Sequence, residues 1–322
     1  MLALYDVAAP AKLNLFLHVV GRRMDGYHLI ESVFVLIDWC DNLHFERRSD
    51  AKLLRHDLGA ALPADDLCLR AARLLQSASG CAYGADIHIA KQVPAGAGMG
   101  GGSSDAASTL LALNRLWGLN WPLSQLLPLG LRLGADVPFF LRGENAFVQG
   151  IGEILTPLTL PGRLFAVLKP ASAIATSEIF ASPLLARNTG AVIVAGFPAG
   201  TTTHALDVGV ETGAKQPDNG DAGKVVSVEA IVNGFGRNDL EPVAESQCAE
   251  VSHALKLLTA RFGNSRMTGS GSAVFARVEM LEGLSCQPIA TMPEDLPSGW
   301  VGRMCRSLER HPLAGWATDQ AD

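Results

Sequence analysis

The stretch Pro94–Ala107, PAGAGMGGGSSDAA, decides the fold because it joins a glycine-rich loop to the start of a helix. Five of the seven residues in Gly96–Gly102 are glycines, which lose more conformational freedom on folding than other residues. A chain keeps such a loop mainly where its backbone must approach something closely. The run that follows, as far as Trp117, has apolar residues at helical spacing. A loop that opens a helix presents free N–H groups and a positive dipole end, so this stretch predicts an anion site, with phosphate as the expected anion.

Two common phosphate loops do not fit this stretch. A Walker A loop needs Gly-Lys-Ser/Thr at its end, whereas the chain's single Gly-Lys pair, Gly223–Lys224, is followed by valine. A dinucleotide fingerprint occurs formally at Gly96, Gly98 and Gly101, but it needs an acidic residue about 20 positions later. Residues 115–132 contain neither Asp nor Glu. A glycine turn without a ligand is the remaining alternative, and the two serines at the helix start disfavour it.

Composition indicates a globular protein of one large domain or two ordinary ones. The chain has 322 residues, of which 48% are hydrophobic and 18% charged. Its net charge is −6 and its pI about 5.8, and no long basic run occurs. We therefore expect neither nucleic acid nor an anionic membrane as the main partner. The N-terminus lacks the pattern of a signal peptide, and no membrane span is evident.

The six cysteines favour a reduced, cytoplasmic protein. None of them forms a C-x-x-C pair, so the pattern predicts neither zinc nor thioredoxin-like chemistry. Scattered and mostly buried thiols are the expectation in a reducing compartment.

The periodicity predicts two lobes of an α+β protein. In the first lobe, residues 1–160, we expect strands at 12–20, 32–37, 87–90 and 146–150, helices at 67–77 and 122–133, and a helix that follows the glycine loop to about 117. In the second, residues 161–310, we expect a strand at 164–169, helices within 239–262 and a glycine turn entering a strand at 267–278. Residues 199–224 read as a polar, exposed insertion, and residues 311–322 as a tail.

Four further motifs accompany the loop in a fixed order. They are PAKLNLFLHVVGRRMDGYH at Pro10–His28, GADVPFFL at Gly134–Leu141, NDLE at Asn238–Glu241 and MTGSGSAVFA at Met267–Ala276. Together with the loop they resemble the GHMP kinases over about residues 8–278. In the loop, Met99 stands where that family usually has leucine, which is a volume-conserving replacement.

The resemblance implies a two-lobed fold and an ATP site. The N-terminal lobe would be like ribosomal protein S5, and the C-terminal lobe ferredoxin-like. The loop would wrap the phosphates of ATP, with Mg²⁺ bridging them and Ser104 as a possible metal contact; Asp105 is instead expected to be a first-turn acid favoured by the helix dipole. The implied ATP-binding residues are Pro94, Ala95, Gly96, Ala97, Gly98, Met99, Gly100, Gly101, Gly102, Ser103 and Ser104.

The resemblance also implies a catalytic pair. Asp136 would take the proton of the acceptor hydroxyl, and Lys12 would stabilise the developing alkoxide. The apolar run Val137–Phe140 predicts an apolar setting that raises the pKa of the Asp136 carboxyl unless a lysine opposes it. Taken alone, Asp136 would be a helix cap or turn aspartate, and Lys12 a solvated lysine at a strand edge.

The DGYH turn points to an acceptor with a cytidyl diphosphate group, within the branch of the family that carries this turn. The implied substrate-binding residues are Asn14, Tyr27, His28, Phe180, Gly269 and Ser270. Phe180 either stacks on the cytosine or belongs to the core. The Gly269–Ser270 turn either approaches the substrate closely or is purely structural.

The expected activity is transfer of a phosphoryl group from ATP to the 2-hydroxyl of a cytidyl-linked methylerythritol. Two alternatives stay open: a GHMP kinase of the mevalonate or homoserine type, and a catalytically silent nucleotide sensor. The pair of Lys12 and Asp136 argues against the sensor, since binding alone needs no base. A monomer and a homodimer are both compatible with the sequence.

Overall fold

The computed structural model describes residues 1–195, 223–279 and 291–319. The predicted polar insertion at 199–224 lies outside the described residues, except for Gly223 and Lys224 at its end. The strands are β1 (Ala3–Arg22), β2 (His28–Arg48), β3 (Leu53–Asp57), β4 (Gly84–Ala90), β5 (Ala146–Gln149), β6 (Ile154–Pro157), β7 (Leu164–Lys169), β8 (Val192–Ala195), β9 (Lys224–Ser227), β10 (Arg266–Met267), β11 (Val274–Val278) and β12 (Val301–Arg306). The helices are α1 (Leu67–Ser79), α2 (Gly101–Leu116), α3 (Leu123–Leu133), α4 (Val137–Arg142), α5 (Thr176–Ala181), α6 (Val228–Val232), α7 (Glu241–Gln247) and α8 (Ala249–Phe262).

The first lobe is a sheet covered by helices on one face. Its strand order is β3-β4-β2-β5-β6, with β1 pairing antiparallel to β2 as a long hairpin. Helices α1 to α4 pack on the sheet over a core that includes Phe34, Phe45 and Phe139. Helix α2 is buried on nearly every side, which explains why its sequence is rich in alanine and leucine rather than amphipathic.

The second lobe is an antiparallel sheet of order β10-β11-β7-β12 with α8 packed against it. Its apolar core includes Ala166, Leu168 and Val274 from the sheet and Leu258 from α8. The predicted α+β class with two lobes is confirmed. Near the second lobe, β8 and β9 form a separate two-stranded parallel sheet.

The structure extends several predicted elements. Strands β1 and β2 run well beyond the predicted 12–20 and 32–37. In β2, alternate residues from Asp38 to Phe45 are buried, so this part of the strand lacks a continuous apolar run. The short helix α4 was not predicted separately from the chain reversal at Gly134–Leu141. Residues after Arg306 pack on the first lobe, where the Leu308 N–H donates to the Leu36 carbonyl and the imidazole of His311 is buried.

Five cysteines lie in the described part of the chain, and all of them are free thiols. Cys68 and Cys305 are buried, while the other three are half-buried, so the expectation of mostly buried thiols holds only in part. The sixth, Cys286, lies outside the described residues. Across residues 1–195, 223–279 and 291–319, no helix has the length and apolar character to cross a membrane.

Candidate active site

The glycine loop connects β4 to α2 and bends through three left-handed residues. Gly96, Gly98 and Gly100 have φ values of 60°, 69° and 71°, a conformation that side-chain-bearing residues rarely adopt. Helix α2 begins at Gly101, and no side chain caps its N-terminus. The loop and the start of α2 line a cleft of about 380 Å³, so unpaired backbone donors and a positive helix end face that cleft.

The loop is wedged against the turn that precedes β11. A Cβ added at Gly98 would lie 2.3 Å from the Thr268 carbonyl oxygen, and one at Gly269 would lie 2.6 Å from the Gly98 oxygen. The Ser272 N–H donates to the Gly96 carbonyl over 3.1 Å. The glycines of this turn are therefore required by contact between two backbones, a reason that differs from the predicted approach to the substrate. The Ser270 hydroxyl lies 2.7 Å from that of Thr176.

Lys12 and Asp136 lie close together beside the loop. The Nζ of Lys12 is 3.8 Å from Oδ2 of Asp136. Lys12 belongs to β1, whereas Asp136 directly precedes α4. The backbone N–H of Lys12 donates to the Met99 carbonyl over 2.9 Å, which ties this part of β1 to the glycine loop. Lys12 is buried, and burial lowers the pKa of its ammonium while the Asp136 carboxylate raises it. A lysine held in this way is a preorganised positive charge at the edge of the cleft.

Asp136 occupies the N-cap position of α4 but does not cap it. Its side chain makes no capping hydrogen bond, so it is not a helix-capping aspartate, although the residue does lie in the turn before α4. The side chain is also 32% exposed, in contrast to the predicted apolar setting, because Val137 and Phe139 point into the core while the carboxylate points out. An exposed carboxylate beside a buried lysine has room for a hydroxyl group to approach.

Asn14 is the hub that holds Lys12. Its Oδ1 accepts a hydrogen bond of 2.6 Å from Lys12 Nζ, and its Nδ2 donates to the Ser32 hydroxyl over 2.9 Å. Its backbone N–H donates to the Thr268 hydroxyl of the second lobe. Asn14 is buried, so its position in this structure is that of a support for Lys12 rather than an open contact for substrate.

Of the other predicted acceptor residues, His28 and Phe180 lie together, whereas Gly269 and Ser270 belong to the turn beside the glycine loop. The rings of His28 and Phe180 stack with centroids 5.0 Å apart and an interplanar angle of 29°. Arg187 joins them: its Nε donates to His28 Nε2 over 3.0 Å, and its Nη2 donates to the Phe180 carbonyl over 3.0 Å. Burial, assisted by Arg187, lowers the pKa of His28 and keeps its imidazole neutral. Tyr27 stays outside this group with 60% of its surface exposed.

Comparison with known proteins identifies the family. The model described as "GHMP kinases N terminal domain" matches residues 66–144, and that described as "GHMP kinases C terminal" matches residues 221–281. A 4-diphosphocytidyl-2-C-methyl-D-erythritol kinase from Methylibium petroleiphilum is 59% identical over 317 residues, which cover 98% of each chain. The chain belongs to this kinase family. A relative of the same name from Verminephrobacter eiseniae is 54% identical over 99% of this chain and 100% of its own.

Solved structures agree with the family assignment. The crystal structure of a 4-(cytidine 5'-diphospho)-2C-methyl-D-erythritol kinase has a TM-score of 0.64 and 33% identity, covering 84% of this chain and 89% of its own. A homoserine kinase from Cytophaga hutchinsonii has a TM-score of 0.55 and 16% identity, covering 84% and 83%. The second likeness shows the shared fold alone. The predicted two-lobed GHMP kinase fold is confirmed.

Sequence reasoning missed a charge cluster beside the glycine loop, two residues of which, Lys91 and Asp105, also line the cleft. The ammonium of Lys91 pairs with the carboxylates of Asp41 and Asp105, and Asp41 Oδ1 also accepts the N–H of Val93 over 2.8 Å. Asp105 is buried and is the fifth residue of α2, so its predicted role as a first-turn acid is wrong. Burial raises the pKa of Asp105 to about 8, and the Lys91 ammonium opposes that rise.

The structure separates the two serines of the loop. Ser103 is half-buried and lines the cleft, whereas Ser104 is fully buried beneath it. The Ser104 hydroxyl has no hydrogen-bond partner within the described residues, so it can still donate or accept a hydrogen bond. Nowhere in the described ranges do three His, Cys, Asp or Glu side chains gather as a metal site. This donor set fits a Mg²⁺ ion held mainly by nucleotide phosphates.

Proposed function

We infer that the chain transfers the γ-phosphoryl group of ATP to the 2-hydroxyl of 4-diphosphocytidyl-2-C-methyl-D-erythritol, giving the 2-phosphate and ADP. The family assignment supplies the reaction. The observation in this structure that best supports this reaction is the 3.8 Å distance between Lys12 Nζ and Asp136 Oδ2 beside the glycine loop. Phosphorylation of an alcohol needs a held nucleotide, a positioned hydroxyl and a charge that stabilises the transition state; the glycine loop, Asp136 and Lys12 would supply these three requirements.

Asp136 is proposed as the general base. Its carboxylate is 32% exposed and makes no capping hydrogen bond, so it can accept the proton of an acceptor hydroxyl. The acceptor hydroxyl would lie between Asp136 and the γ-phosphate. Removing a general base typically costs about 10²- to 10⁴-fold in rate.

Lys12 is proposed to stabilise the negative charge that develops on the acceptor oxygen. Its ammonium is held by Asn14, and it also lies 4.5 Å from the centroid of the Phe34 ring. A charge fixed in a buried setting stabilises a transition state without reorganising, which is the largest single contribution in many enzymes. Asn14 then acts as a positioning residue.

The glycine loop, Pro94–Ser104, is proposed as the ATP site. Its backbone donors and the N-terminus of α2 face the cleft, and they would bind the phosphates of the nucleotide. Mg²⁺, when bound, would neutralise charge on those phosphates. Ser103 and Ser104 are the hydroxyl residues of the loop that would hold phosphate oxygens or the ion.

Tyr27, His28 and Phe180 are proposed to hold the cytidyl end of the acceptor. The neutral imidazole of His28 can hydrogen-bond a pyrimidine edge, and the exposed ring of Tyr27 can pack against a base. Gly269 and Ser270 are proposed to border the same cleft. We also propose a cytoplasmic protein, because all described cysteines are free thiols.

The test is release of ADP from purified protein with MgATP and three acceptors in parallel. The cytidyl methylerythritol should be turned over, and mevalonate and homoserine should not. Turnover of mevalonate or homoserine alone would overturn the proposed acceptor. Binding of ATP without turnover of any acceptor would support the silent sensor instead.

A further inference from the structure

A second cavity lies at the opposite end of the second lobe's sheet from the glycine loop. Its volume is about 830 Å³, and it is lined where β7 begins and where β11 and β12 end. Strands β7 and β11 pair antiparallel from Leu164–Val278 to Leu168–Val274. The first pair borders the cavity, whereas the second adjoins the turn that contacts the glycine loop. The two cavities are therefore separated by the length of these strands.

The lining of this cavity is positively charged. Among the described residues, Arg163, Arg277 and Arg306 face it together with one carboxylate, Glu279, so the formal net charge of this part of the lining is +2. Within residues 1–195, 223–279 and 291–319, no carboxylate lies within ion-pair distance of any of the three guanidinium groups. The contrast is with Arg48, which pairs with two aspartates.

Of the three lining arginines, Arg277 is the one whose guanidinium group reaches furthest into the protein. It is half-buried against Gly234, where an added Cβ would lie 2.4 Å from its Nη2. Burial lowers the pKa of the neighbouring Arg266 to about 10; the positive charge of Arg277 adds to this lowering, and the Glu241 carboxylate opposes it. The guanidinium N–H groups of Arg266 donate to backbone carbonyls, including those of Leu15 and Gly236. Placing the Arg277 guanidinium near that of Arg266 is unfavourable, and a bound anion would relieve that cost.

We propose that this cavity binds the phosphate group of a small phosphorylated molecule through Arg163, Arg277 and Arg306. The planar guanidinium fork matches phosphate oxygens in a bidentate manner. A phosphate monoester carries a charge of about −1.5 to −2 at neutral pH, which balances the lining. The Ser307 hydroxyl accepts the Arg163 N–H over 2.8 Å and keeps its own proton to donate. A cavity of this size also holds more than a bare phosphate.

The test is calorimetric titration of the full chain, loaded with saturating ADP so that the glycine loop is occupied. The probes are inorganic phosphate and glycerol 3-phosphate. Arg306→Gln alters an exposed side chain and should weaken binding by about 10-fold, the loss of a charge-assisted contact. Arg277→Gln should weaken it at least as much. Arg73→Gln, an exposed arginine paired with Asp65, is the matched control and should bind as the unchanged chain does.

Glu279→Gln should change the affinity for phosphate in the opposite direction to the arginine substitutions. Removing the carboxylate of Glu279, the one that the described lining contains, should tighten binding of both probes by a few-fold, an effect that misfolding does not produce. Equal affinity for the two probes would assign free phosphate as the ligand, and tighter binding of glycerol 3-phosphate would assign a phosphorylated metabolite. Absence of binding to the ADP-loaded chain, or binding unchanged by Arg306→Gln and Glu279→Gln, would overturn the proposal.

Discussion

One end of the proposed cleft is formed by backbone groups and the other by side chains. At the nucleotide end, contiguous residues present backbone: Gly96–Ser104 curves through left-handed glycines into the N-terminus of α2. At the acceptor end, side chains converge from distant positions, with His28, Phe180 and Arg187 joined by stacking and hydrogen bonds. The first end can recognise phosphate, which many molecules share, whereas the second can recognise a particular base. Because of this difference, we expect some substitutions to weaken ATP binding without changing the choice of acceptor, and others to do the reverse.

The largest effect is expected at the junction of the two ends. Asp136→Asn should lower kcat at least about 10²-fold, because the acceptor proton loses its base, while ADP affinity stays unchanged. Steady-state ADP release and calorimetry measure the two quantities. Asp65→Asn, at an exposed aspartate paired only with Arg73, is the control. Substantial kcat in Asp136→Asn would remove the residue from the reaction.

The next effect belongs to the nucleotide end. Gly98→Ala should weaken ADP binding about 10-fold or more, since its Cβ would meet the Thr268 carbonyl at 2.3 Å and displace the loop. Gly118→Ala is the matched control, because its φ of 70° is nearly the same but nothing lies within 4 Å. The control should lose about 1 kcal/mol of stability and keep its ADP affinity. Equal ADP affinity in both variants would contradict a loop that shapes the site.

A smaller effect is expected at the acceptor end. Phe180→Ala should raise KM for the cytidyl substrate about 10-fold and leave KM for ATP unchanged, because an aromatic contact contributes about 0.5–1.5 kcal/mol beyond its buried area. Phe262→Ala is the control, since Phe262 is also partly buried against the same core. Initial rates at varied acceptor measure KM. A rise in KM that both variants share would mean a general packing effect.

The last prediction concerns the pH dependence of stability, at the Asp105 carboxyl beside the loop, rather than activity or binding. The pKa of Asp105 rises from 3.8 to about 8 on folding, so between these values the folded chain binds more protons than the unfolded chain. Stability should therefore fall as pH rises through this window, with a slope of at most about 1.4 kcal/mol per pH unit. Urea unfolding at a series of pH values measures this slope. Asp105→Asn should flatten it, and an unaltered slope would assign the dependence to other groups.

The comparison also explains what the sequence could predict. The glycine loop was predictable because a site made of backbone leaves a run of glycines in one stretch. Lys12 and Asp136 were predictable only through motifs, since 124 positions separate them and only folding brings them to 3.8 Å. Arg187 lies in no pattern at all. Asp105 was misread because helical position alone does not show that Lys91 and Asp41 lie across from it.

The decisive measurement is the phosphorus NMR spectrum of the product formed from MgATP and the cytidyl methylerythritol. Carbon 2 of that acceptor bears a methyl group and no hydrogen. A phosphate on the 2-hydroxyl should therefore give a phosphomonoester signal without splitting by a proton on the adjoining carbon. A signal split by such protons would place the phosphate on another hydroxyl and contradict the proposed position of the acceptor between Asp136 and ATP. No new signal would contradict the kinase itself.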